Sequence, residues 1–103
     1  MTPFAPRAAR ELQRAAAWIA ADNPAAAEAL LQGALRAARA ILAHPHRARE
    51  RPELAPPRYR FWSLRGFPYL LVIDAEHQPP VVARFVHQSR DLPSVLRDLE
   101  CGA

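Results

Sequence analysis

Apolar residues recur at helical spacing from Arg7 to about Ala43 and at strand spacing from Tyr59 to His87, and this change of period constrains the fold more than any other feature of the chain. In the first helical stretch Leu12, Ala15, Ala16 and Ile19 form one stripe, with Arg7, Arg10, Glu11 and Arg14 mostly off it. Asp22-Asn23-Pro24 interrupts the pattern: Asn23 can cap a new helix and Pro24 suits its first turn. The second stripe is Ala27, Leu30, Leu31, Ala34, Ala38, Ile41 and Leu42. So short a connection makes the two helices an antiparallel hairpin. Gly33, with Ala34, Ala37 and Ala38, is expected to let the partner helix approach closely.

His44-Pro45 ends the second helix. The stretch to Pro57 holds Pro45, Pro52, Pro56 and Pro57 with Arg47, Arg49 and Arg51, and reads as a surface loop. Three strands follow: Tyr59–Leu64, Tyr69–Asp74 and Val81–His87, separated by turns at Arg65-Gly66-Phe67-Pro68 and Glu76–Pro80. The middle one is a continuous apolar run that suits a central strand. Regular alternation in the last would place Val81, Ala83, Phe85 and His87 on one face and Val82, Arg84 and Val86 on the other. Short connections imply antiparallel pairing. Asp91–Glu100 returns to helical spacing with Leu92, Val95, Leu96 and Leu99. Thr2–Ala5, flanked by prolines, fits an edge strand or extended arm. The expected fold is α+β: an antiparallel sheet of three to four strands, an N-terminal helical hairpin on one face and a short C-terminal helix.

At 103 residues the chain is one domain. Its formal net charge is +4, and all 14 basic residues are arginine. Guanidinium forks match phosphate and carboxylate, so a nucleic acid or an acidic protein is the implied partner; arginine and alanine in place of lysine and serine are also what a GC-rich genome encodes. The lone Cys101 can form neither an internal disulfide nor a metal cluster, and a reducing, cytoplasmic setting is expected. Nothing in Met1–Arg10 reads as a secretion signal, and no run approaches the ~20 apolar residues of a membrane span. There is no Gly-rich phosphate loop and no metal-ligand spacing, so no cofactor or metal is expected.

Three stretches carry a family resemblance. They are Ile19-Ala20-Ala21-Asp22-Asn23-Pro24-Ala25-Ala26-Ala27 at the helix break, then Pro52-Glu53-Leu54 with Tyr59-Arg60-Phe61-Trp62 and Gly66–Val72, and finally Val82-Ala83-Arg84-Phe85-Val86-His87-Gln88-Ser89-Arg90-Asp91-Leu92. In this order, from about Phe4 to Leu99, the chain resembles the RelE/ParE toxin superfamily, and its strand ending on His followed by Arg-Asp-Leu looks like the ParE branch. The resemblance implies a type II toxin, neutralised by a cognate antitoxin with an acidic amphipathic tail. ParE-type members are associated with poisoning DNA gyrase. RelE-type members cut messenger RNA on the ribosome. A toxin fold kept as a non-toxic, antitoxin-bound regulatory module is a third possibility.

Cutting RNA through its 2′-hydroxyl needs a base, an acid and cations on the phosphate. His87 is the one good titrating candidate in the sheet, with Arg60, Arg65 and Arg84 as phosphate holders. Arg84 and His87 are three apart on a strand, so a bulge or twist at the strand end would be needed to bring them together. RelE-type enzymes often use lysines and a late tyrosine; this chain has no lysine and no tyrosine after Tyr69. A second proton-transfer group would have to be Glu50 or Glu53 swinging in from the loop. The simpler reading makes His87 a strand-end residue bonded to the following turn, Arg90–Asp91 a local pair, and Arg84 a half-buried residue satisfying carbonyls. Trp18, Arg47, Arg49, Arg51, Arg60, Arg65, Arg84 and Arg90 are candidates for contact with antitoxin or target. Trp18 either widens the first helix's stripe or lies in a groove that an antitoxin covers, and the Arg47–Arg49–Arg51 run is either a solvated face or a contact for an acidic partner. No single residue is assigned a catalytic role, and the expected mode of action is binding.

Overall fold

A computed structural model of the chain describes residues 3–89 and 91–101. The hairpin forms as its stripes require. Helix α1 (Pro6–Ala20) buries Ala8, Leu12 and Ala16, and α2 (Pro24–Leu42) buries Ala27, Leu30, Ala34, Ala38 and Ile41. The Asn23 side chain caps α2 by accepting from the Ala26 N–H at 3.1 Å. Alanine dominates both buried stripes, so the two backbones can lie close. Gly33 plays no part in that approach. A methyl group placed there would meet the Phe67 ring of the strand turn at 4.0 Å, an ordinary contact.

The sheet is an antiparallel meander in the order β1-β2-β3-β4. Strands β2 (Tyr59–Ser63), β3 (Tyr69–Asp74) and β4 (Val81–His87) fall where the alternation and the apolar run predict. Gly66, with φ of 85°, takes the left-handed position in the β2–β3 turn. Strand β1 is a two-residue edge, Arg49–Glu50, set in the stretch expected to be only loop. A 3₁₀ turn, Pro45–Arg47, precedes it. Leu54 and Ala55 are buried, so the remainder of that stretch is pinned to the sheet. Arg58 anchors the start of β2 by a two-pronged bond to Asp74 at 3.0 and 2.9 Å. That bond, working against desolvation and aided by the Asp74 charge, holds the Arg58 guanidinium above its ordinary pKa.

Both faces of the sheet are covered. The hairpin packs on one, over Leu71, Ile73, Val82 and Phe85. The C-terminal segment and the Leu54–Ala55 stretch pack on the other, over Tyr59, Phe61, Leu70, Val72 and Val86. This is why Tyr69–Asp74 is apolar without alternation: a strand buried on both sides has no polar face. The C-terminal segment is two short helices, not one. They are α3 (Leu92–Val95) and α4 (Arg97–Cys101), broken at Leu96 where the backbone leaves helical geometry. Leu92, Leu96 and Leu99 are buried against the sheet.

Regular alternation fails in β4. The pairing with β3 shifts between Val72↔Arg84 and Ile73↔Val82, so one extra residue, Ala83, bulges. Val82 therefore joins Phe85 on the hairpin side, while Ala83 packs with Val86 against the C-terminal cover.

The free edge of β4 is guarded over its first half. The N-terminal segment runs beside it as an extended arm, with a parallel bridge Phe4↔Val82 and bonds Ala5 N–H to Val82 O and Val82 N–H to Pro3 O. No helix among the described residues is long and apolar enough to cross a membrane.

Two stability changes test this packing. Gly33→Ala is expected to stabilise the protein by about 0.5–1 kcal/mol in urea unfolding, because it removes backbone entropy without a clash. Leu96→Ala is expected to cost roughly 2–5 kcal/mol, as for any fully buried leucine, if the C-terminal helices are part of the cooperative core.

Candidate functional site

Past the arm, the outer edge of β4 opens into a groove of about 650 Å³. One wall is α1, through Glu11, Arg14, Ala15 and Trp18; the floor is Tyr69, Phe85, Val86, His87 and Ser89; Val95 of α3 closes the far side. Trp18 is 81% exposed, the most exposed large apolar side chain among the described residues. It stands off the α1 stripe because it does not belong to the core. Within the floor, Tyr69 and Phe85 stack at 4.9 Å, and the His87 ring meets Tyr69 edge-on at 5.1 Å.

The main chain of the edge is part of the groove. Gln88 donates to Pro68 O, so by strand alternation Phe85 and His87 turn their main-chain groups away from β3. The Phe85 N–H is met from α1: it donates to Glu11 Oε1 at 3.0 Å. Beyond it the His87 groups face outward into the groove, at an edge where the described sheet has no further strand.

Glu11 does a second thing. It receives Arg84 through Nε at 3.0 Å and Nη2 at 2.8 Å, while Arg84 Nη1 donates to Val95 O at 3.0 Å and Asp98 at 2.8 Å. Arg7 reaches the same Asp98. Only 4% of Arg84 is exposed. It is thus fully buried, not half-buried, and two carboxylates hold it with only one carbonyl. Burial opposes its charge, but the Glu11 and Asp98 bonds and charges outweigh that and raise its pKa above the ordinary value. With four of its five N–H groups committed and the side chain buried, Arg84 is not free to hold a substrate phosphate.

The remaining expected site residues are dispersed. From Arg84 to His87 the register with β3 is regular, so these two side chains point to opposite faces; the bulge lies before Arg84 and does not bring them together. His87 Nδ1 accepts from the Ser89 N–H at 3.1 Å and lies 2.6 Å from Ser89 Oγ. The backbone donor makes Nδ1 the acceptor, which places the proton of the neutral ring on Nε2. Arg60 is at the far side of the sheet, donating to His46 O, Ala48 O and Glu50. Arg65 is exposed on the β2–β3 turn, and Arg47 and Arg49 are exposed near β1. Arg51 is not simply solvated: it pairs with Glu53 at 3.1 Å and lies over the Phe61 ring. Glu50 and Glu53, the reserve proton-transfer groups, are thus paired to Arg60 and Arg51 beside β1, three strands from His87. Arg90 lies outside the described residues. Asp91 accepts from Ser94 Oγ at 2.8 Å. Among the described residues no group of three or more His, Cys, Asp or Glu could hold a metal.

The residue that sequence reasoning missed is Glu11. An arginine amid β-branched residues calls for a buried acid, but nothing along the chain says that the acid is 73 positions away.

Residues 3–92 match the family model of the ParE toxin of type II toxin–antitoxin systems, parDE. No curated protein and no solved structure gives a significant match. With most of its length matched, the chain belongs to the ParE toxin family.

Removing Glu11 should be far more damaging than removing Asp98. Glu11→Ala strands a buried guanidinium and is expected to cost about 3–5 kcal/mol in chemical unfolding. Asp98→Asn acts at a largely exposed partner and should cost no more than about 1 kcal/mol.

Proposed function

We propose that this ParE-family toxin acts by binding and poisoning DNA gyrase, the target associated with ParE-type toxins, and that its antitoxin is held in the β4 groove. The observation that carries the binding mode is the fate of the acid–base set. Arg84 is locked in an internal ion network, Arg60 is tied to the β1 segment, and Glu50 and Glu53 are paired beyond reach of His87. Scission by the 2′-hydroxyl needs a base, an acid and free cations within a few ångströms of one phosphate, and His87 stands without the other two.

The groove suits an antitoxin segment on three counts. Its outward-facing strand edge can accept one extended segment by main-chain bonding. Trp18, Ala15 and Val95 offer apolar contact, and exposed Arg14 offers charge to an acidic tail. A large exposed tryptophan beside a pocket is the kind of anchor that dominates binding energy.

Purified toxin should inhibit gyrase supercoiling and trap cleaved DNA, and His87→Ala should leave that inhibition within about twofold. Trp18→Ala should weaken binding of the co-encoded antitoxin by at least tenfold in titration calorimetry, the lower end of the range for an anchor residue of about 2 kcal/mol. Transcript cleavage on ribosomes that disappears with His87→Ala would overturn the binding mode. Expression without growth arrest would overturn toxicity itself.

A further inference from the structure

We propose that this chain also binds the phosphate backbone of duplex DNA, through an arginine band on α2, the Pro45–Arg47 turn and β1, none of whose arginines lines the β4 groove. From Ala29 to Arg49 the sequence contains Arg36, Arg39, Arg47 and Arg49 and not one Asp or Glu. All four are exposed, and none forms an ion pair with a described residue. Of the other described arginines, Arg7, Arg51, Arg58, Arg60 and Arg84 each have a carboxylate partner. Arg10 and Arg14 on α1, Arg65 on the β2–β3 turn and Arg97 on α4 are unpaired among the described residues but spread over separate elements. Glu50, the acid that ends the band, is taken by Arg60.

The fold gathers this charge. Arg36 and Arg39 lie one turn apart on α2, about 4.5 Å along its axis. The 3₁₀ turn carrying Arg47 packs against α2, and Arg49 follows on the edge strand. Ala34, Ala38 and Ile41 are buried beneath, so the arginines stem from a rigid base. Strand β1 is three strands from β4, roughly 14 Å across the sheet, and none of the four arginines lines the β4 groove.

Charge complementarity selects a polyanion, and the rest of the band selects a duplex. A duplex presents one negative charge per about 1.7 Å of its axis, a stiff array that a stiff array of guanidinium groups can meet in any register. Recognition of single strands relies on aromatic side chains that stack on splayed bases. Of the large exposed aromatics, Trp18 lies on α1, outside the band, and Trp62, only 37% exposed on β2, shares a groove with Arg49 alone of the four arginines, a single ring where a run of them would be needed. Between the arginines stand Ala37, Ala40, Ala43 and Ala48, with the His44 and His46 rings turned edge-on to each other. Contact is therefore with phosphates and is independent of base sequence. This inference concerns the free chain and does not rest on the choice of gyrase or on the antitoxin groove.

The test is anisotropy of a labelled duplex of about 20 base pairs titrated with the full chain over a salt series. Three to four phosphate contacts predict a slope of log K against log salt near −3. The variant R36Q/R39Q/R47Q should flatten that slope by about 2 to 3, and R39Q alone by about 1. The variant R10Q/R14Q/R97Q has the same net charge and should keep a slope near that of the unaltered chain, with thermal melts confirming that all three variants are folded. Equal flattening in the two triple variants would overturn the band in favour of net charge alone. Equal or tighter binding of single-stranded RNA with the same arginine dependence would overturn duplex DNA as the partner. Absence of binding at about 50 mM salt would overturn the proposal outright.

Discussion

The guanidinium of Arg84 is the point on which the described structure turns. It projects from the edge strand and is held by a helix from the start of the chain and by a segment from its end. Such a buried charge is costly unless it is paired and hydrogen-bonded. Glu11, Asp98 and the Val95 carbonyl meet four of the five N–H groups, and in doing so fix where α1, α3 and α4 sit relative to β4. Glu11 also satisfies an edge amide, so one carboxylate aligns the helix, neutralises the cation and closes the sheet at Phe85. The groove takes its shape from this: its α1 wall and its α3 rim are the two elements that Arg84 ties together.

The same interaction keeps Arg84 from serving as a phosphate holder. A phosphate-holding arginine must have donors to spare, and this one commits four of its five N–H groups internally. His87, which shares the strand, is bonded to the turn that follows it. The groove beside it combines a strand edge with outward main chain, an exposed indole and a stacked aromatic pair.

Much of the fold was legible along the chain because it rests on local rules. The 3.6-residue stripes of α1 and α2, the Asn23-Pro24 start and the apolar run of β3 each follow from neighbours within a few positions. What was not legible rests on distant pairing. The two residues of β1 have no apolar signature and become a strand only because β2 lies beside them. The Ala83 bulge reverses the faces of Val82 and Ala83, and strict alternation could not anticipate it. The site divides in the same way. Trp18 stood out as an apolar residue off its stripe, and the groove is where it lies. Glu11 looked like one more polar residue among three arginines, since its role depends on a strand 73 positions on. The C-terminal helices read correctly as helical and apolar, but which face of the sheet they cover is a tertiary fact.

The guarding of the sheet edges has a consequence for concentrated protein. A sheet with a long bare rim invites the rim of another copy, and growth from that contact is open-ended. Here one rim is a strand of two charged residues, and the other is blocked by the Phe4 arm and the Glu11 carboxylate as far as Phe85. What remains is a gap only a few residues long, flanked by helices. A slender single segment can enter it, whereas the broad edge of a second sheet cannot. Edge-to-edge pairing of two copies therefore finds no long bare rim on the described sheet.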